Sequence, residues 1–124
     1  MRKISPHVEI YKFPVTAISS ITNRITGVAL TGYFLGTGFY CLCPYKEQIN
    51  KKYESLDWKV KKLINYGVIF PFSYHTLGGI RHLIWDLKPQ LLKNNAVKKS
   101  SLLLFGSSIV STIASEYLIN NLKE

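Results

Sequence analysis

"SYHTLGGIRHLIWD", residues 73–86, sets two histidines, an arginine and an aspartate inside or at the end of one of the most apolar regions of a 124-residue chain. Ionisable groups in such a setting are costly unless a partner compensates them. The region around them, Leu63–Leu87, is flanked by Lys61 and Lys62 before and by Lys88 and Pro89 after, and apart from His75 its uncharged part runs to Ile80.

Two further blocks of the same kind lie outward from it. The first runs from Pro14 to Leu42, and its uncharged part begins at Ile25; at about 1.5 Å per residue that part alone covers roughly 27 Å of bilayer. The last, Ser101–Ile119, follows Lys98 and Lys99, with several serines and with Glu116 near its end. Hydrophobic residues, 47% of the chain, gather in these blocks, and lysine-rich segments separate them. The pattern predicts an all-α membrane protein with three transmembrane helices, approximately 15–43, 62–88 and 98–119. They form a single transmembrane domain over residues 1–124 with a short polar N-terminal segment. In a soluble three-helix bundle every helix needs a polar face, and the middle of the first block lacks one. The net charge of +9 does not point to nucleic acid: the lysines flank apolar blocks as interface anchors do. The N-terminal "MRKISPHVEIYKF" has neither an apolar signal region nor a cleavage site and reads as working sequence.

Basic residues flanking the helices divide evenly between the two sides, and Arg24 and Arg81 tip the balance towards an inside amino terminus. Cys41 and Cys43 make no zinc site by themselves, and no C-x-x-C-H for covalent haem attachment is present.

Three crossings alternate in direction, so the start of the first helix, the end of the second and the start of the third share one side. Ser20, Arg24, Arg81, His82 and Asp86 converge there. Along the second helix His75, His82 and Asp86 fall within about 20° of one stripe, with Gly78 and Gly79 beside it to admit a planar group or another backbone. In the first helix Ser20, Arg24, Gly27 and Thr31 line one face. His75 lies roughly 20 Å beyond Lys62, deep in the hydrocarbon, with His82 roughly 10 Å nearer the polar side. Two readings of His75 stand at this point: a metal ligand, or one end of a helix-to-helix hydrogen bond. If the metal is haem iron with two axial histidines, they must approach from opposite faces of the macrocycle. His75 and His82 share one helix face and His7 lies in the aqueous leader, so the chain supplies one ligand and a second subunit brings the other. Arg24 and Arg81 suit haem propionates or a quinone carbonyl, or snorkel to lipid headgroups. Gly32 and Gly36, and Ser107, Ser111 and Ser115, have the small-xxx-small spacing that lets helices approach, either within the chain or to a partner.

With those residues in view, the chain resembles the large cytochrome b membrane-anchor subunits of succinate dehydrogenase, respiratory complex II. "SPHVEIYKFPVTAISSITNRITGVAL" at 5–30 is similar to the family's S-P-H-x-x-I-Y leader followed by S-I-x-H-R-x-T-G. "YHTLGGIRHLIWDL" at 74–87 is similar to its H-x-x-x-G-I-R-H-L-x-x-D signature. The resemblance implies a subunit with no catalytic residue for succinate oxidation. In the family a flavoprotein oxidises succinate, an iron–sulfur subunit passes on the electrons, and two anchors bind ubiquinone and haem b. It implies His75 as an axial haem ligand, with the second ligand from the small anchor subunit. It also implies Ser20, Ile21 and Arg24 at the ubiquinone headgroup, and Asn23, Arg81 and His82 near the haem propionates. Asn23 departs from the pattern, standing where the family usually has histidine. A haem-less structural tether and the anchor of a quinol:fumarate reductase share the layout. With its Lys, Asn, Ile and Tyr bias, the chain is expected as a multi-pass protein of the mitochondrial inner membrane, with a bacterial plasma membrane as the alternative.

Overall fold

A computed structural model describes residues 12–122. The leader motif at residues 5–11, His7 included, lies outside the described residues, as do Arg2, Lys3 and Lys123. Among the described residues there are four α-helices and no strand: α1 (Val15–Leu42), α2 (Lys46–Glu54), α3 (Trp58–Leu87) and α4 (Asn94–Asn121), with a 3₁₀ turn at Pro89–Leu91.

Proline sets several of the ends. Pro14 precedes α1 in an extended conformation, and its carbonyl accepts from the Ala17 and Ile18 amides at 2.9 and 3.2 Å. Cys43, before Pro44, and Lys88, before Pro89, both leave the helical region, because the pyrrolidine ring crowds the residue ahead of it. Pro71 sits inside α3 without ending it; Gly67, four residues earlier, has open space around it.

The helices run past the expected limits. α3 begins at Trp58, four residues before position 62, and α4 at Asn94, four before 98. Lysine is a good helix former, and Lys59, Lys61, Lys62, Lys98 and Lys99 continue the helices they flank while their long stems reach for water. α2 is an addition: the lysine-rich connection folds into a polar helix, tied to α1 where the Tyr40 hydroxyl donates to Asn50 Oδ1 at 2.7 Å.

α3 packs against both α1 and α4, which also touch each other. The bundle is inverted relative to a soluble protein. Its buried positions are mostly small and polar: Ser19, Thr26, Ser73, Gly78, Ser101, Ser108 and Thr112, with Tyr74 and Leu104 the large apolar exceptions. Several of the hydroxyls return to their own helix, as Ser108 does to the Leu104 carbonyl at 2.7 Å, so that the backbones approach closely. Large apolar side chains such as Val28, Phe34, Phe39, Leu63, Leu83, Leu103 and Val110 face outward. In water such a surface would drive aggregation; against lipid tails it is neutral. α1 and α4 are long and apolar enough to cross a membrane, and the most apolar window of α1 is only 6% buried, unlike the core helix of a soluble domain. α3 is as long but has no comparably apolar window, because Asn65, Ser73, His75 and Thr76 interrupt its apolar run.

Three consecutive residues tie the bundle together at one level. Ser73 meets Ser111 of α4 at 3.3 Å, the Tyr74 hydroxyl donates to Ser19 Oγ of α1 at 2.9 Å, and His75 reaches the Asn23 carbonyl of α1 at 3.0 Å. Gly32 and Gly36 have nothing within 4 Å of where a Cβ would stand, so they pack against no other helix among the described residues, whereas Ser111 does.

Candidate functional site

α3 carries His75 at a half-buried position facing α1. Its Nδ1 lies 3.0 Å from the Asn23 carbonyl oxygen. A carbonyl accepts only, so Nδ1 carries the proton and donates; in the neutral imidazole that leaves the lone pair on Nε2. Nε2 makes no hydrogen bond among the described residues. The ring rests on Gly27: a Cβ there would stand 2.8 Å from Cε1 and 3.3 Å from Nδ1. The reciprocal contact lies beside it, where a Cβ on Gly78 of α3 would run into Asn23 Oδ1. Each helix thus presses a side chain onto a glycine of the other, and this double interlock fixes the rotation of α1 against α3.

Asn23 Oδ1 is buried and without a hydrogen-bond partner. Such orphans are rare and call for a partner beyond the described residues. The set therefore fits a haem edge. His75 offers a free, oriented nitrogen with its other nitrogen held by a backbone carbonyl, the arrangement usual for ligating histidine. Asn23 Oδ1, beside it, only accepts hydrogen bonds and lies against Gly78, so it calls for a donor and is not itself a partner for a propionate.

The remaining expected residues divide. His82, seven after His75 and so on the same face, is exposed, its ring edge-on to Trp85 at 5.2 Å. Arg81 points elsewhere. Six residues after His75 it stands about 240° around the helix, where Nη1 donates to Ser101 Oγ of α4 at 3.1 Å and the guanidinium lies over Trp85 at 4.5 Å. The structure does not bring Arg81 together with His75 and His82. On α1, Ser20, Ile21 and Arg24 all face outward, and Arg24 makes no hydrogen bond among the described residues. Ser20 shares a line with Gly27, about 20° apart, so this outward group borders the His75 cradle along one helix face.

Two participants escape sequence reasoning. Tyr74 is 0% exposed, packed on Phe105 at 5.0 Å and Phe70 at 5.7 Å, and bonded to both the hydroxyl and the carbonyl of Ser19. Its place beside His75 is a signal, but nothing in the sequence says which of two adjacent serines faces it. Gly27 belongs to a small face by spacing, with no signal that it would receive the imidazole.

Residues 1–115 match the family model described as succinate dehydrogenase/fumarate reductase transmembrane subunit. Among curated relatives, the mitochondrial succinate dehydrogenase cytochrome b560 subunit of Dictyostelium discoideum is 34% identical over 116 residues, covering 88% of this chain and 58% of the relative. The succinate dehydrogenase cytochrome b556 subunit of Paracoccus denitrificans is 30% identical over 116 residues, covering 90% of this chain and 88% of the relative. The cytochrome b560 subunit of Sus scrofa is 36% identical over 110 residues, covering 77% of this chain. The chain spans 58% and 62% of the length of the Dictyostelium and pig proteins. Matched over nearly its whole length, the chain belongs to the succinate dehydrogenase/fumarate reductase transmembrane subunit family.

Proposed function

We propose that this chain is a membrane anchor of succinate:ubiquinone oxidoreductase that crosses the mitochondrial inner membrane three times and helps to bind haem b and ubiquinone. Its partners are a small anchor subunit, an iron–sulfur subunit that delivers electrons and a flavoprotein subunit that oxidises succinate. The observation that carries the reading is the His75 cradle, with Nδ1 on the Asn23 carbonyl and Nε2 free, lying within two sequence motifs of the family.

When bound, haem supplies reversible one-electron chemistry between the iron–sulfur subunit and quinone. His75 Nε2 would hold the iron, with the ring fixed by the Asn23 carbonyl and the surface of Gly27. The N–H groups of the Asn23 amide and of His82 would donate to the propionates, and Arg81 would do so only on leaving Ser101. Ser20 and Arg24, one turn apart at the polar boundary, donate hydrogen bonds to a quinone carbonyl oxygen, with Ile21 against the ring. There the headgroup meets protons while its tail stays in lipid. A third crossing by α3 follows from its length, about 45 Å, and from its polar residues facing α1 and α4.

The departure at Asn23 favours one other reading, a tether that binds no haem, and the pyridine haemochrome spectrum of the purified complex separates the two. The anchor of a quinol:fumarate reductase has the same layout; reaction direction depends on the potentials of the partners. The test of the main reading is the reduced-minus-oxidised spectrum of the complex. His75→Ala abolishes the low-spin b-type bands, whereas His82→Ala only shifts them. Unchanged bands in the His75 variant would overturn the assignment.

A further inference from the structure

At the end of the bundle away from His75, Glu116 of α4 is buried, with 3% of its surface exposed, and Oε2 has no hydrogen-bond partner. It borders a cavity of about 400 Å³ lined also by Tyr53, Trp58, Lys61, Lys62, Asn65 and Asn120. Two ammonium groups stand at the same cavity, yet neither is spent on the carboxyl. Lys61 Nζ donates to the Glu54 carbonyl at 2.7 Å and lies over the Tyr53 ring, and Lys62 Nζ lies 5.9 Å from Trp58 and 6.0 Å from Tyr66. A buried carboxyl oxygen left without a hydrogen bond is costly, and a ligand that supplies a donor to it and an acceptor to the lysines removes the cost.

We infer that this cavity binds the headgroup of a zwitterionic phospholipid, with its phosphate on Lys61 and Lys62 and its ammonium on Glu116. The inference rests on the membrane reading above, which puts this end of α4 at the second interface. Tyr53, Trp58 and Tyr66 are the aromatic residues expected at headgroup depth, and lysines beside them reach the same level. The charge pattern selects the headgroup class. A primary ammonium donates hydrogen bonds to Glu116, Asn65 and Asn120 oxygens, so phosphatidylethanolamine fits best. Phosphatidylcholine carries the charge without a donor, and phosphatidylglycerol offers Glu116 no cation.

The test is native mass spectrometry of the delipidated complex titrated with these three lipids, all with the same acyl chains. The expected order of retention is phosphatidylethanolamine, then phosphatidylcholine, then phosphatidylglycerol. Glu116→Gln lowers phosphatidylethanolamine retention at least about tenfold, the scale of one lost charge-assisted hydrogen bond, and leaves phosphatidylglycerol unchanged. Lys62→Ala weakens all three. Strongest retention of phosphatidylglycerol, or unaltered selectivity in Glu116→Gln, would overturn the site. So would a Glu116→Gln complex that melts lower in lipid-free detergent, since that assigns the carboxyl to an internal ion pair. Lipid retention is read independently of the haem bands, so loss of the haem reading leaves this result interpretable.

Discussion

Gly27 is where one hydrogen atom decides the seat of the His75 ring. Its α-carbon is the floor under the His75 ring, and a methyl group there would stand 2.8 Å from Cε1. Gly27→Ala should therefore displace the imidazole, break the Nδ1 bond to the Asn23 carbonyl and cost about 1–3 kcal/mol through overpacking. Low-temperature electron paramagnetic resonance of the complex should show a shifted low-spin signal. Gly106→Ala, where nothing lies within 4 Å, should leave both signal and melting temperature in place. An unmoved signal in Gly27→Ala would dismiss the cradle. The stripe of His75, His82 and Asp86 is legible without a structure, because helical periodicity is written in the sequence. Arg81 shows the limit of reading by depth alone. It shares the polar boundary with His82, but the same periodicity turns it away, onto Ser101. The seating of His75 on Gly27 is not legible, since the rotation of one helix against another is set by packing and leaves no local trace.

Along α1, two adjacent serines do different work. Ser19 faces the bundle and accepts from Tyr74, while Ser20 faces outward in line with Arg24. Tyr74→Phe should lower stability by about 0.5–1.5 kcal/mol, in the range of membrane interhelical hydrogen bonds, with no direct effect on quinone. Ser20→Ala and Arg24→Ala should do the reverse. They should slow succinate–ubiquinone reduction severalfold and leave succinate oxidation by a water-soluble dye, and the melting temperature, nearly intact. Parallel loss of both activities would mean failed assembly and remove these residues from the quinone site. Helix existence is readable from the apolar blocks, but the ends are not: lysines that mark the edge of an apolar run are also good helix formers, so α3 and α4 continue through them. α2 is hidden in the sequence because a short polar helix has no apolar stripe to announce it; the tie from Tyr40 to Asn50 helps to hold it.

As a whole the molecule looks outward. Its interior is mostly serine and threonine around Tyr74, Leu104 and Glu116, and its surface is of large apolar side chains. Two histidines on one helix face cannot sandwich an iron, and Asn23 Oδ1 and Arg81 Nε remain buried without partners. Expressed alone, the chain should bind no bis-histidine haem and unfold readily in detergent. Expressed with a small anchor that brings a membrane histidine, and with the iron–sulfur subunit, it should regain both properties. Electron paramagnetic resonance and thermal unfolding of the two preparations decide the matter. A stable, monomeric, bis-histidine haemoprotein made from this chain alone would refute the shared-ligand model.

Ser73, Tyr74 and His75 bond to α4, α1 and α1 in turn, within a single turn of α3. The proposed iron ligand thus occupies the most cross-braced section of the bundle, while the far half of α1 is almost wholly exposed. An imidazole held on α1 by the Asn23 carbonyl and by Gly27 would resist following a metal as its charge changes by one unit. Little nuclear rearrangement would then accompany each oxidation or reduction, and such a centre would exchange electrons quickly over small differences in potential. The girdle that closes three helices into a bundle would, on this reading, also tune the kinetics of the electron passing through it.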